Sequence, residues 1–169
     1  NLVQRLRQSI QAHDIDPSLL TLEIVESVLM EEAVVRAFSG LAQLGVTLSI
    51  DDFGIGYCNF ALLRKLPVTQ LKVDRSLFSD IQHSADALAV VDAIVKMAHA
   101  LGLRVVAEGV ETDAQHDMLL ALRCDELQGF LYAKPMAADR LTLWAMGEDG
   151  LHGPDFRPSI YAAASPTLQ

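Results

Sequence analysis

Apolar residues recur with helical spacing over 31–45 (EEAVVRAFSGLAQLG) and 85–102 (ADALAVVDAIVKMAHALG), and both stretches end on glycine. Gly45 and Gly102 read as C-terminal caps, since glycine tolerates the left-handed turn that closes a helix. A short apolar segment follows each, VTLSID after Gly45 and LRVVAE after Gly102. Helix, glycine, strand and carboxylate thus repeat, with Asp51 and Glu108 in the carboxylate position. Further strands are expected at 20–26, 70–74 and 126–131. A further helix over 112–122 opens with a Thr112/Gln115 capping box. Strands alternating with helices imply a parallel sheet or barrel.

Parity within the strands narrows the choice, because alternate side chains face opposite sides of a sheet. One parity is polar: Thr21 and Glu23; Thr47, Ser49 and Asp51; Gln70, Lys72 and Asp74; Arg104 and Glu108; Glu126 and Gln128. The other carries Leu22, Ile24, Leu48, Ile50, Leu71, Val73, Val105 and Leu127, suited to packing under helices. A doubly wound sheet has helices on both faces and needs two apolar parities. A barrel with a partly polar interior accounts for the asymmetry, and its acidic groups would gather at the C-terminal mouth, where barrel enzymes work. Such a barrel takes about 250 residues and eight strands, so about five of eight strands are expected here, the early ones lying before Asn1. The expected organisation is a domain over 1–145 and a loose Gly-, Pro- and Ser-containing tail over 146–169.

Composition adds limits. With 51% hydrophobic residues among 169, one domain with a substantial core is expected. No apolar run approaches the roughly 20 residues of a membrane span, and the amphipathic start NLVQRLRQSIQAHD is unlike a signal peptide. Cys58 and Cys124 are far apart and lack CxxC spacing, which argues for neither a disulfide framework nor a thiolate zinc site. A cytoplasmic setting is expected, either free or as the cytoplasmic part of a membrane-anchored protein. The net charge of −9 opposes a DNA partner, although cations between carboxylates and phosphates would let an acidic protein hold a phosphorylated small molecule.

The chemistry concentrates at the strand ends. Asp51 and Asp52 finish a strand and enter the glycine-punctuated FGIG loop; their hard oxygens suit Mg²⁺ or Mn²⁺, while a plain helix cap is the competing reading. Glu23 and Glu108 share the polar parity, and four carboxylates from three strands would be costly to bury without cations. Lys72 lies between the aspartates and Glu108, where its ammonium would orient water or neutralise a phosphate oxygen, or pair with Asp74 or Asp51. Glu26 and Glu111 each follow a carboxylate by three residues and would cap or brace loops. Gln128 and Gly129 would line the mouth or simply end a strand. None of the five histidines joins this group. From these residues alone an enolase-like barrel also combines strand-end carboxylates with lysine; the adjacent aspartates favour a site that holds two cations.

In order, LEIVES, SIDDFGIGY, LPVTQLKVD, VVAEGVET and LQGFLYAKP resemble the EAL-domain family of cyclic-di-GMP phosphodiesterases over about residues 1–145. The resemblance implies a TIM-like (β/α)8 barrel, Mg²⁺ or Mn²⁺, and hydrolysis of cyclic di-GMP to linear pGpG in bacterial second-messenger signalling. It implies Glu23, Asp51, Asp52 and Glu108 as metal ligands, with Lys72, Glu108 and Asp52 catalytic. Glu26 matches the residue that steadies the DDFG loop, and Glu111 and Gln128 match residues of the mouth. A homodimer through the 52–60 loop and an upstream sensor or diguanylate-cyclase-like domain are also implied. Two departures stand out. The Glu-Ala-Leu segment and the asparagine strand after it are not in this sequence, and Ile55 and Cys58-Asn59-Phe60 replace the usual loop residues. Hydrolysis by these 169 residues is therefore expected to be impaired, and the alternative is a catalytically inactive module that senses cyclic di-GMP by binding it.

Overall fold

The computed structural model describes residues 2–30, 32–56 and 60–146. Helix α1 (Leu2–Ala12) precedes a regular alternation: β1 (Thr21–Val25), α2 (Glu32–Ala42), β2 (Thr47–Phe53), α3 (Phe60–Leu63), β3 (Gln70–Val73), α4 (Ala85–Ala100), β4 (Arg104–Glu108), α5 (Asp113–Ala121), β5 (Glu126–Gln128) and α6 (Ala138–Ala145). All four strand pairs are parallel and the spatial order is β1-β2-β3-β4-β5. A doubly wound sheet reverses direction midway, whereas this one never does, as in an incomplete (β/α) barrel. Among the described residues no helix is long and apolar enough to cross a membrane.

The predicted caps form: Gly45 and Gly102 have φ of 86° and 75°, which a side chain would strain. Register places Leu48, Ile50, Leu71, Val73, Val105 and Ala107 on one face, all at most 1% exposed. They pack with Phe38 of α2, Val91 and Val95 of α4 and Leu119 of α5. At roughly 2 kcal/mol for each fully buried aliphatic or aromatic side chain, this outer layer dominates the hydrophobic stabilisation.

The opposite face is polar as expected, though Val25 and Val106 interrupt it in register with Asp51 and Lys72. Its polar residues divide into two tiers. At the strand starts Arg104 pairs with Glu126, and Gln70 Nε2 donates to Glu126 Oε2 at 3.4 Å. Lys72 and its carboxylates form the upper tier.

Two expectations need correction. The last strand ends at Gln128 rather than 131, because Gly129 folds onto the backbone of Val110 and the chain turns, Leu131 N–H donating to Val110 O at 3.0 Å. Asp74 leaves the polar face: it caps the turn Arg75–Leu77, its Oδ1 accepting from Ser76 N–H at 2.8 Å. Helix α6 was not expected; it belongs to a second compact unit, Lys134–Gln169, the first being Asn1–Ala133. The expected tail from 147 onward, Cys58 and Asn59 lie outside the described residues.

The predicted capping box is present in full. Thr112 Oγ1 accepts from Gln115 N–H at 3.2 Å, and Gln115 Oε1 accepts from Thr112 N–H at 3.2 Å and from Glu111 N–H at 2.9 Å. Gln115 is only 4% exposed, and its Nε2 donates to Ser79 O at 3.3 Å. Replacing it by alanine removes the acceptor of the part-buried Glu111 and Thr112 N–H groups, the donor to Ser79 O and half of the capping box, so Gln115→Ala should cost about 2 kcal/mol. Chemical denaturation measures this; a loss below about 0.5 kcal/mol would show that water substitutes freely for the carboxamide.

Candidate active site

Lys72 points from β3 into the polar face and is buried, with 6% side-chain exposure. Three carboxylates from three strands meet its Nζ: Glu108 at 2.5 Å, Glu23 at 2.6 Å and Asp51 at 3.4 Å. The arrangement follows from parity and register, since inward positions on β1, β2 and β4 flank an inward lysine on β3. Burial pulls the Lys72 ammonium toward neutrality, but hydrogen bonds and attraction from Glu108 and Glu23 outweigh it, so its pKa lies above the ordinary lysine value. Glu108 shifts upward as well, because burial and the neighbouring Asp51 carboxylate prevail over Lys72. The two directions conflict if Lys72 and Glu108 are taken as a private pair. They agree once the cation is shared: three carboxylates against one ammonium leave Glu108 under-compensated.

That imbalance bears on metal binding. The donors are hard carboxylate oxygens, and two formal negative charges remain unbalanced around Lys72, which is what a divalent cation would offset. In this geometry the ammonium holds the centre, and among the described residues no group of three or more His, Cys, Asp or Glu side chains is set to hold one ion. The donor set fits Mg²⁺ or Mn²⁺ by type and charge.

Asp52 is not among the carboxylates at Lys72. A register shift separates it from its neighbours: Ile50 pairs with Leu71 but Phe53 with Val73, so β2 spends three steps where β3 spends two. The extra residue is a bulge, and Asp52 within it has φ of 55°, a left-handed conformation that aspartate adopts more readily than most residues. The bulge returns Phe53 to the apolar face, where it is 3% exposed, although alternation from Asp51 would send it inward. Asp52 N–H donates to Asp51 Oδ1 at 3.0 Å.

Loops braced on one another surround the carboxylates. Glu26, 5% exposed just past β1, accepts from Gly54 N–H at 3.0 Å through Oε2, and among the described residues its Oε1 has no hydrogen-bond partner. A Cβ at Gly56 would come within 2.8 Å of that Oε1. Glu111 lies off the carboxylate cluster and pairs with Arg75. Gln128 faces the same side as Glu108, its register partner, with an exposed side chain, and its carbonyl accepts from Val110 N–H at 3.0 Å. His116 and Tyr132 meet through Nδ1 and the hydroxyl at 2.8 Å, away from the carboxylates. Sequence reasoning passes over Arg75; its position directly after LKVD was the available signal.

Comparison with known proteins adds independent findings. A family model described as EAL domain matches residues 1–135. Over 142 residues the chain is 43% identical to the bifunctional diguanylate cyclase/cyclic di-GMP phosphodiesterase MucR of Pseudomonas aeruginosa, covering 83% of this chain and 21% of that protein. The chain thus spans about a fifth of the length of the curated relatives it matches first. Among solved structures, the PaMucR phosphodiesterase in complex with c-di-GMP superposes with a TM-score of 0.78 at 43% identity, covering 83% of this chain and 57% of that one. The Klebsiella pneumoniae BlrP1 manganese/cy-diGMP complex gives a TM-score of 0.73 at 33% identity, covering 79% of this chain and 34% of that one.

Proposed function

Because the chain belongs to the EAL domain family, we propose that it serves the hydrolysis of cyclic di-GMP to linear pGpG at the cluster around Lys72. The observation that carries this reading is the convergence of Glu23, Asp51 and Glu108 on one buried ammonium. The names of relatives supply the substrate, and the complexes of BlrP1 with calcium or manganese supply the class of ion. Glu23, Asp51, Asp52 and Glu108 would hold Mg²⁺ or Mn²⁺. Such ions, when bound, polarise a phosphate and lower the pKa of a water. The chain's own contribution is positional and electrostatic. Lys72 Nζ donates a hydrogen bond where charge develops on a phosphate oxygen, and Asp52 and Glu108 act beside it. The braced glycine loops hold these carboxylates in place. A homodimer through the 52–60 loop, an attached sensor or cyclase domain and a cytoplasmic setting complete the proposal. Residues 57–59 of that loop lie outside the described residues.

The test is incubation with cyclic di-GMP and Mn²⁺ or Mg²⁺, with nucleotides separated by chromatography. Slow accumulation of pGpG is expected. Binding without turnover would instead make the chain a sensing module.

Binding of the ion is separable from turnover. A ligand at about a hundred times its dissociation constant stabilises the folded state by about 2.7 kcal/mol, so Mn²⁺ should raise the melting temperature by roughly 5–10 °C. The combined Asp51→Asn and Asp52→Asn variant should lose that rise. Tight zinc binding that survives both substitutions would place the metal site elsewhere.

A further inference from the structure

Two segments meet beside the carboxylates: the turn after β3 (Arg75–Leu77) and the loop after β4 that begins at Gly109. The stem of Arg75 lies flat over Gly109, where an added Cβ would stand 2.9 Å from Arg75 Cβ and 3.1 Å from its Cδ. Its guanidinium reaches on to Glu111. Two further ties join the same stretches of chain, Gln82 Nε2 to Thr112 Oγ1 at 3.0 Å and Gln115 Nε2 to Ser79 O at 3.3 Å. On the other side, Leu77 covers Gly54 of the aspartate loop, its Cδ1 2.5 Å from where a Cβ would sit.

Glu108 is therefore gripped twice from β3 and its turn. Lys72 holds its carboxylate at 2.5 Å, and Arg75 covers the glycine that follows it. We propose that Arg75 is a positioning residue: by clamping Gly109 and Glu111 it fixes the backbone that aims the Glu108 carboxylate into the metal centre. This rests on the reading of the Lys72 cluster as that centre. An exposed ion pair adds little to global stability, and Arg75 and Glu111 are 49% and 35% exposed at the side chain. The effect of Arg75 is consequently local, on Glu108, and small on the fold as a whole. Groups that orient metal ligands without touching the ion typically change affinity by about 10–100-fold when removed.

The experiment uses the full chain and its Arg75→Ala and Arg75→Lys variants. Mn²⁺ affinity is followed by electron paramagnetic resonance, amide hydrogen exchange is followed over 108–112, and melting temperature is recorded. Arg75→Ala should weaken Mn²⁺ binding about tenfold and speed exchange over 108–112. Its melting temperature should fall by no more than about 2 °C. Arg75→Lys keeps stem and charge and should stay within about threefold of the parent. Unchanged exchange over 108–112 in Arg75→Ala, or Mn²⁺ affinity within about twofold of the parent, would overturn the proposal. Should the parent bind no Mn²⁺, the metal reading fails and the exchange measurement alone decides whether Arg75 positions Glu108. Should Arg75→Ala not fold, Glu111→Gln breaks the same pair without touching the contact on Gly109, and unchanged exchange there would equally overturn it.

Discussion

Lys72→Ala is expected to lower kcat on cyclic di-GMP by about two to three orders of magnitude while KM changes by no more than about threefold. The asymmetry follows from where Nζ sits. Within 3.4 Å of three carboxylates, it is already neutralised in the resting site and has little spare attraction for a ground-state phosphate. Charge that develops at phosphorus in the transition state shifts the balance and draws the ammonium into a new hydrogen bond. Mn²⁺ affinity should hold or rise in the same variant, because the ammonium and a dication compete for the same oxygens. Steady-state kinetics and metal titration together check this. A loss confined to KM would reassign Lys72 to substrate binding, and collapsed Mn²⁺ binding would show that the lysine organises the carboxylates rather than competing for them.

Gly129→Ala should cost about 3 kcal/mol or more and lower the melting temperature by roughly 10 °C. A Cβ there would lie 2.1 Å from Val110 O and 2.3 Å from Val110 N. Those atoms are backbone and cannot rotate aside. They are also engaged, since Val110 N–H donates to Gln128 O and Val110 O accepts from Leu131 N–H, both at 3.0 Å. Relief of the clash must separate the loops after β4 and β5 and break both bonds, leaving buried polar groups unpaired. Thermal melting of the two chains side by side measures the cost. A shift under about 2 °C would mean that the two loops part easily and that their contact contributes little to the fold.

Much of the architecture is legible in the amino-acid sequence, and for a definite reason. Strand parity is a local property, so a polar row and an apolar row can be read residue by residue, and inward Glu23, Asp51, Lys72 and Glu108 follow from alternation alone. Helix ends are equally local: Gly45, Gly102 and the Thr112/Gln115 box signal through the conformation or hydrogen bonds of a few adjacent residues. Alternation fails where spacing changes. The bulge at Asp52 is a mismatch between β2 and β3, so neither strand read singly reveals it, and the burial of Phe53 depends on it. The end of β5 is misplaced by pattern alone because Val110, on the loop after a different strand, supplies the surface onto which Gly129 folds. Parity assigns Asp74 to the inner row, but a hydrogen bond from Ser76 N–H turns the backbone before the row can continue. By itself the sequence determined which side chains share a face, because that depends on period and handedness carried by neighbouring residues. Only the tertiary structure decided which of those side chains touch, how the strands shift against one another and which loops brace the site, because these depend on close approach between segments far apart in the chain.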